Sequence, residues 1–552
     1  MRDVDTIVIG SGAGGLACAV ALAQAGQRVL VLEQHEVPGG WCHSFRLGGY
    51  QFSPGVHYIG ELDEGGGLRR VYEGLGVSRD LVFLELNPDG FDHVLIGGER
   101  FDIPKGRNRL EARLIERFPH ESRGIRDYLE LVDRSAKELG QAQKIGSLPD
   151  LLSLPWRARH VLRWGLASLD HVLDRHVHDP MLRALLSIQA GDHGLPPSKA
   201  PFALHAAVQA HYFNGGFYPM GGAQSLPKAF ARALRRAGGG IRLNAAVDRI
   251  LLGENGAACG VRLAGGEEIT ATRVVSNADP GITFGRLVGL ENLSTRLRSK
   301  LARTRWSISG LSLFGATDLD LADMGYDSGN YWYSRSTNLE ASYDFSNGST
   351  GLDDEELPGL FLTITTLKDR TKKAKGHQTF EAFTFVPFGG FDRWSDSRHG
   401  DRPGDYVELK KRLEKRMLRA ADKVVPGISE HSVFAELATP LTNAHYVRST
   451  KGSFYGTEKS RWQLGPFGFG VATEVSDLWL CGASTLGHGV MGATASGLAV
   501  AARILRCSWR DLLDQRGPDL RIYPADDPSA WPPQLRRKRR SADNALARSA
   551  KP

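Results

Sequence analysis

The segment Asp5–Glu33, DTIVIGSGAGGLACAVALAQAGQRVLVLE, decides the fold. Asp5–Ile9 is a short, nearly all-apolar run, as expected of a strand buried on both faces. Gly10-Ser-Gly12-Ala13-Gly14-Gly15 follows, and then an Ala/Leu-rich stretch that reads as a helix ended by Gly26. Arg28–Leu32 is a second strand, closed by Glu33. A glycine-rich turn alone says little; strand, loop, helix, strand and acid in this order predict a dinucleotide site. Gly10 permits the tight turn, Gly12 lets backbone N–H groups approach a diphosphate, and Gly15 lets the helix pack closely. The helix start, at Ala13 and Gly14, adds free donors and partial positive charge. Glu33 suits ribose hydroxyls, and its charge disfavours a 2′-phosphate.

Working outward, Gln34 leads to a second glycine pair, Gly39-Gly40-Trp41, and then to Pro54-Gly-Val-His57-Tyr58. Far downstream, Asp477-Leu-Trp-Leu-Cys-Gly482 precedes Gly487-His-Gly-Val-Met491-Gly492-Ala-Thr-Ala-Ser-Gly497 and an apolar helix. Between them lie Tyr218-Pro-Met-Gly-Gly, the run Gly240–Val247, and Arg273-Val-Val-Ser-Asn277. Together these pieces resemble the extended fingerprint of the two-domain flavoprotein superfamily of amine oxidases, phytoene desaturases and Rab GDP-dissociation inhibitors. The resemblance implies an α/β protein with a discontinuous Rossmann-type FAD-binding domain and a second α+β substrate-binding domain, in the amine oxidase/GDI-like arrangement. It implies FAD held by Gly10, Gly12, Ala13, Gly14, Gly15, Glu33, Gln34, Gly39, Gly40, Trp41, Val247, Asn277, Gly482, Met491 and Gly492. In relatives, position 483 often carries an acid or amide; here it is Ala483.

The chain divides accordingly. Residues 1–100, 216–284 and 436–510 are expected to build the FAD domain. Residues 101–215 read as a helical insert over the substrate, and 285–435 as an antiparallel sheet, from runs such as GLSLFGATDL and FEAFTFVPF. Residues 511–552 read as a basic, disordered tail.

Four short motifs narrow the resemblance. Gly55-Val-His57-Tyr58-Ile-Gly60, the His205 and His211-Tyr212-Phe region, Leu441-Thr-Asn443 and Gly452-Ser-Phe-Tyr455-Gly456 are similar to the retinol saturase branch, beside the carotenoid isomerases and desaturases. That branch implies reduction of a C=C bond in a retinoid or carotenoid by hydride from reduced flavin. Desaturation or cis–trans isomerisation of a polyene is the enzymatic alternative, and a prenyl-lipid escort of GDI type the non-enzymatic one. His57, Tyr58, Tyr218 and His211 are the candidate proton donors, with Tyr455 and His488 also flanking flavin-side motifs; each has a purely structural alternative. No second strand-linked GxGxxG follows, so NAD(P)H, if it feeds the flavin, docks transiently; otherwise a partner protein or a quinone exchanges the electrons.

Composition excludes other classes. Of the net charge of +7, +6 falls in Arg536–Pro552, which leaves no broad basic field for a nucleic acid. Five scattered cysteines without a CxxC pair argue against disulfide frameworks and metal clusters and fit a reducing cytoplasm. The start shows no signal-peptide pattern, and no apolar run reaches the roughly 18 residues of a membrane span. Leu151–Leu169, LLSLPWRARHVLRWGLASL, mixes Leu and Trp with Arg and His. It reads as a lid or packing helix, or as a peripheral membrane contact through which a lipid enters.

Overall fold

The computed structural model describes residues 2–142, 156–344 and 351–536. Strand β1 (Val4–Ile9), helix α1 (Ala13–Gln24) and strand β2 (Val29–Leu32) form the expected unit. β1 pairs in parallel with β2 on one side and with β3 (Glu268–Ser276) on the other. β4 (Leu478–Leu480) extends the sheet beyond β3, and Gly240–Arg242 extends it beyond β2, both in parallel. The register aligns Ile9 with Leu32 and Ser276, and Ser276 with Leu480. The carboxyl ends of four strands therefore meet at one edge, and with them the loops that start at Gly10, Glu33, Asn277 and Cys481. Ligands of open parallel sheets bind at this edge. An antiparallel hairpin, Val247–Leu252 with Ala258–Leu263, joins the far half of β3.

A second sheet of seven strands stands apart from the first. Its order is Ser432–Ala438, Ser309–Thr317, Gln378–Val386, Gly359–Ile364, Asn330–Ser334, Asp92–Ile96 and Glu99–Ile103. Two sequence expectations change here. Asp92–Ile96 and Glu99–Ile103 leave the first segment for this sheet, so the boundary expected at residue 100 lies before residue 92. Asp92–Ile96 pairs with Asn330–Ser334 in parallel, so the sheet is mixed rather than antiparallel throughout. Alternation and apolar content mark a strand but do not choose its partner. Ser309–Thr317 is buried at all nine positions because both its faces are covered. Leu409, Leu413 and Met417 of the helix Gly404–Ala421 belong to the apolar cluster on one side.

The described residues between 101 and 215 are largely helical. α2 (Ser122–Ala142) packs on α4 (Phe202–His211), and the short α3 (Arg159–Trp164) rests against both. α5 (Gly489–Leu505) lies across α1 so tightly that a Cβ on Gly497 would sit 2.0 Å from the Gly14 carbonyl oxygen. Only glycine permits that crossing.

The tail expectation is corrected as far as residue 536. Arg521–Pro524 adds in parallel to Val82–Glu85, while Leu512, Leu520, Ala525 and Trp531 are buried. The Trp531 indole donates to the Pro524 carbonyl at 2.7 Å. Apolar residues spaced along 511–531 anchor the segment, and the basic run begins only at Arg536. The rest of the tail, 537–552, lies outside the described residues.

Candidate active site

One cavity of about 1650 Å³ runs from the glycine loop at the sheet edge to the aromatic face of the second sheet. Of the residues proposed for the cofactor, Gly10, Gly12, Ala13, Gly14, Glu33, Gln34, Gly39, Gly40, Trp41, Val247, Asn277, Gly482, Met491 and Gly492 line it. Gly15 does not. A Cβ there would lie 2.2 Å from the Gly10 carbonyl oxygen, so its glycine serves the packing of loop on helix.

The loop is clamped from two sides. Asn277 Oδ1 accepts the Gly15 N–H at 3.0 Å, and Glu33 Oε2 accepts the Ser11 N–H at 2.9 Å and the Ser11 hydroxyl at 2.5 Å. Ser11 Oγ in turn accepts the Gly39 N–H at 3.0 Å, which ties the second glycine pair to the first loop. The N–H groups of Gly12, Ala13 and Gly14 find no acceptor among the described residues and begin α1 without a side-chain cap. α5 also begins uncapped, behind His488, with Met491 and Gly492 in its first turn at the cavity wall. Two helix starts thus aim free donors into one space. This arrangement fits a diphosphate and an electron-rich ring. Ala483 offers no side-chain polar group, and the neighbouring Ser484 Oγ accepts the Thr457 N–H at 3.1 Å.

The four catalytic candidates separate. His57 and Tyr58 line the cavity together with His211; Tyr218 does not. The Tyr218 ring is fully buried behind the wall, where its hydroxyl accepts from Lys372 Nζ at 3.0 Å. Burial pushes His211 down to about 4, and its Nε2 accepts the Gly60 N–H at 2.9 Å, so the ring is neutral and committed to holding that turn. His57 packs against Phe361 and Phe383, with Nδ1 3.2 Å from Glu381 Oε2 but out of line for a hydrogen bond. Tyr58 stacks on Tyr212 at 4.2 Å and donates to Asp192 Oδ2 at 2.7 Å. Tyr455 donates to the Gly191 carbonyl at 2.7 Å, and His488 Nε2 lies 3.0 Å from the Asp192 carbonyl oxygen. Burial also holds His488 down to about 4.

The polar network behind this wall is not apparent from the sequence. Asp92, fully buried, accepts from Asn330 at 2.9 Å, from Gln189 at 3.2 Å and from Tyr58 at 3.4 Å. Lys368, also fully buried, donates to Asn330 Oδ1 and, at 2.7 Å, to the His57 carbonyl. Desolvation moves these groups toward neutrality: Lys368 falls to about 7 and Asp92 rises to about 6. Asp192 rises to about 8, through burial first and then the charge of Asp92. Asp192 is the only one of the three at the cavity wall. Nothing around it in the chain, QAGDHGLPP, marks it.

Comparison with known proteins agrees with this geometry. The family model described as flavin containing amine oxidoreductase matches residues 13–361. The all-trans-retinol 13,14-reductase of Danio rerio is 31% identical over 91% of this chain and 86% of its own length. The neurosporene-forming phytoene desaturase of Rhodobacter capsulatus is 28% identical over 90% of this chain and 93% of its own. A crystal structure of an oxidoreductase from Methanosarcina mazei shares the fold, with a TM-score of 0.61 and 16% identity over 90% of this chain and 99% of that one. With its glycine cradle and strand-edge cavity in place, the chain belongs to the flavin-containing amine oxidoreductases and is a flavin-dependent oxidoreductase.

Proposed function

We propose that this protein binds FAD and saturates a carbon–carbon double bond of a polyene or isoprenoid lipid, a retinoid or carotenoid. The observation that carries this reading is the continuity of the cavity, with a diphosphate cradle at one end and Trp41, Phe361, Phe383 and Phe454 along the other. The likeness to a retinol reductase and a phytoene desaturase supports the same class of substrate. Bound FAD supplies a hydride. In the proposal the N–H groups of Gly12, Ala13 and Gly14 hold the diphosphate, Glu33 a ribose, and the start of α5 the electron-rich edge of the ring. The aromatic wall excludes water and aligns a flat conjugated chain. Tyr58 is the strongest of the four proposed proton-handling residues, since its hydroxyl reaches two carboxyl groups from the wall. NAD(P)H, docking transiently, is the proposed electron source.

Peripheral contact with a bilayer completes the proposal. Trp156, Leu162 and Leu166 are exposed at 80%, 61% and 52%, with Arg159 and Arg163 among them. They lie on and around α3, which rests on the two helices that give Lys137, Gln141, Ala203 and Leu204 to the cavity wall. The expected contact also included 151–155, which lie outside the described residues. No helix among the described residues is long and apolar enough to cross a membrane. The reading is tested by offering retinol, a carotenoid and an unsaturated fatty acid to the reduced protein under anaerobic conditions. Flavin reoxidation with loss of polyene absorbance is expected, and inertness toward all three overturns the reading.

A further inference from the structure

We infer that Asp192 is the acid that protonates the substrate carbon, with Tyr58 holding its carboxyl group at the cavity wall; this rests on the polyene-reduction reading above. Asp192 Oδ2 accepts the Tyr58 hydroxyl at 2.7 Å, and that same hydroxyl stands 3.4 Å from Asp92 Oδ2. Two carboxyl groups therefore converge on one phenol inside an aromatic wall. Asp192 has no ion-pair partner among the described residues, and its Oδ1 has no hydrogen-bond partner there.

The titratable groups facing Asp192 are Tyr58, Asp92, Tyr212, Tyr343, Tyr455 and His488. Four are phenols that burial keeps protonated, one is a second acid, and His488 is held neutral by burial. Within this shell only the Tyr58 hydroxyl favours a carboxylate on Asp192, and burial and the charge of Asp92 outweigh it. Lys368, the buried cation of the network, spends its donors on Asn330 and the His57 carbonyl. Its charge acts on Asp92 and not on Asp192, and of two acids that share a site the one without a cation retains the proton. The wall-facing member, with a free oxygen, is the one placed to deliver it.

The chain also ties this carboxyl group to the flavin side of the cavity. His488, the residue before the first turn of α5, reaches the backbone carbonyl of Asp192 at 3.0 Å. Tyr455 reaches the carbonyl of the preceding Gly191. The acid is thus fixed between the aromatic wall and the start of α5. In the reduction, one alkene carbon forms a C–H bond with the Asp192 proton. Its neighbour takes a hydride, and with it the electron pair, from the reduced flavin. The alkene is reduced by two electrons, and Asp192 is left as a carboxylate that recovers a proton from water.

The test uses the FAD-loaded protein, its D192N and Y58F variants, and two readouts. Infrared titration reads the proton itself. A protonated-carboxyl band at neutral pH, titrating near pH 8, is expected in the wild type, absent in D192N and shifted in Y58F. The second readout is reoxidation of the anaerobically reduced flavin by retinol as a function of pH. D192N, with unaltered flavin absorbance, is expected to react about 10²–10⁴-fold more slowly and to lose the alkaline limb of the profile. A wild type without the band, or a D192N variant that keeps both rate and limb, overturns the proposal. A wild type that shows the band yet is never reoxidised by any polyene refutes the substrate reading instead, so the two failures are distinguishable.

Discussion

Asn277 accepts the Gly15 N–H at 3.0 Å, joining the end of β3 to the loop after β1 across 262 residues of chain. A Cβ on Gly12 would meet the Nδ2 of this same side chain at 2.6 Å, so Asn277 both orders the loop and sets its spacing. The loop geometry therefore depends on a residue that belongs to neither glycine motif. N277A removes the acceptor but leaves the glycines. It is expected to weaken FAD binding by about 5- to 100-fold, corresponding to about 1–3 kcal/mol. Fluorescence titration of the apoprotein with FAD measures this, and unchanged affinity would show that the clamp is idle.

The α1–α5 crossing makes a prediction about stability. G497A places a Cβ 2.0 Å from the Gly14 carbonyl oxygen, in backbone that cannot swing aside. A loss of about 1–3 kcal/mol or more is expected in denaturant unfolding of the apoprotein. Gly265 has nothing within 4 Å of its virtual Cβ, so G265A should stay within about 0.5 kcal/mol of wild type. Equal effects from the two substitutions would contradict the packing described for the helix crossing.

Gly10–Gly15 was legible because loop, helix and flanking strands are contiguous, so local periodicity and turn chemistry carry the message. The strand Asp92–Ile96 was not assigned to its sheet, because its partner Asn330–Ser334 lies more than 230 residues away and nothing local selects it. Trp531 is buried although the basic run after it gives the segment the composition of a disordered tail. Tyr218 stands in a recognisable motif yet does not line the cavity, since motif membership does not fix which side of a wall a ring occupies. Asp192 went unseen for the opposite reason. A lone acid in a turn has no pattern, and its chemistry comes from Tyr58 and Asp92, which only the fold brings near.

The pH dependence of stability follows from Asp192. Its usual value is 3.8, and burial lifts it to about 8 in the fold. Between these values the folded state holds a proton that the unfolded state has released. The contribution of Asp192 to stability is thus fully present below the unfolded value and is lost as pH rises toward the folded one. The wild-type stability measured against that of D192N should fall as pH rises from about 4 to about 8. Denaturant midpoints of the two FAD-loaded proteins across this range report it. A difference that is flat with pH, or that grows, would show that Asp192 ionises normally.

Membrane contact is read by flotation with vesicles containing anionic lipid. Replacing Trp156, Leu162 and Leu166 together by alanine removes three exposed apolar side chains while leaving Arg159 and Arg163. Burial of each such side chain contributes up to about 1.5–3 kcal/mol, so at least about a tenfold loss of vesicle affinity is expected. Identical partitioning of the triple variant and the wild type would remove α3 from the interface.

The central claim is that the cavity brings a polyene to a hydride-donating flavin. The most direct measurement is to reduce the bound flavin anaerobically, add all-trans-retinol, and record the flavin and polyene absorbances together. The account predicts that oxidised flavin returns as polyene absorbance is lost, in equal molar amounts. A spectral shift of the polyene with the flavin still reduced, or a reduced flavin that ignores every polyene offered, would contradict it.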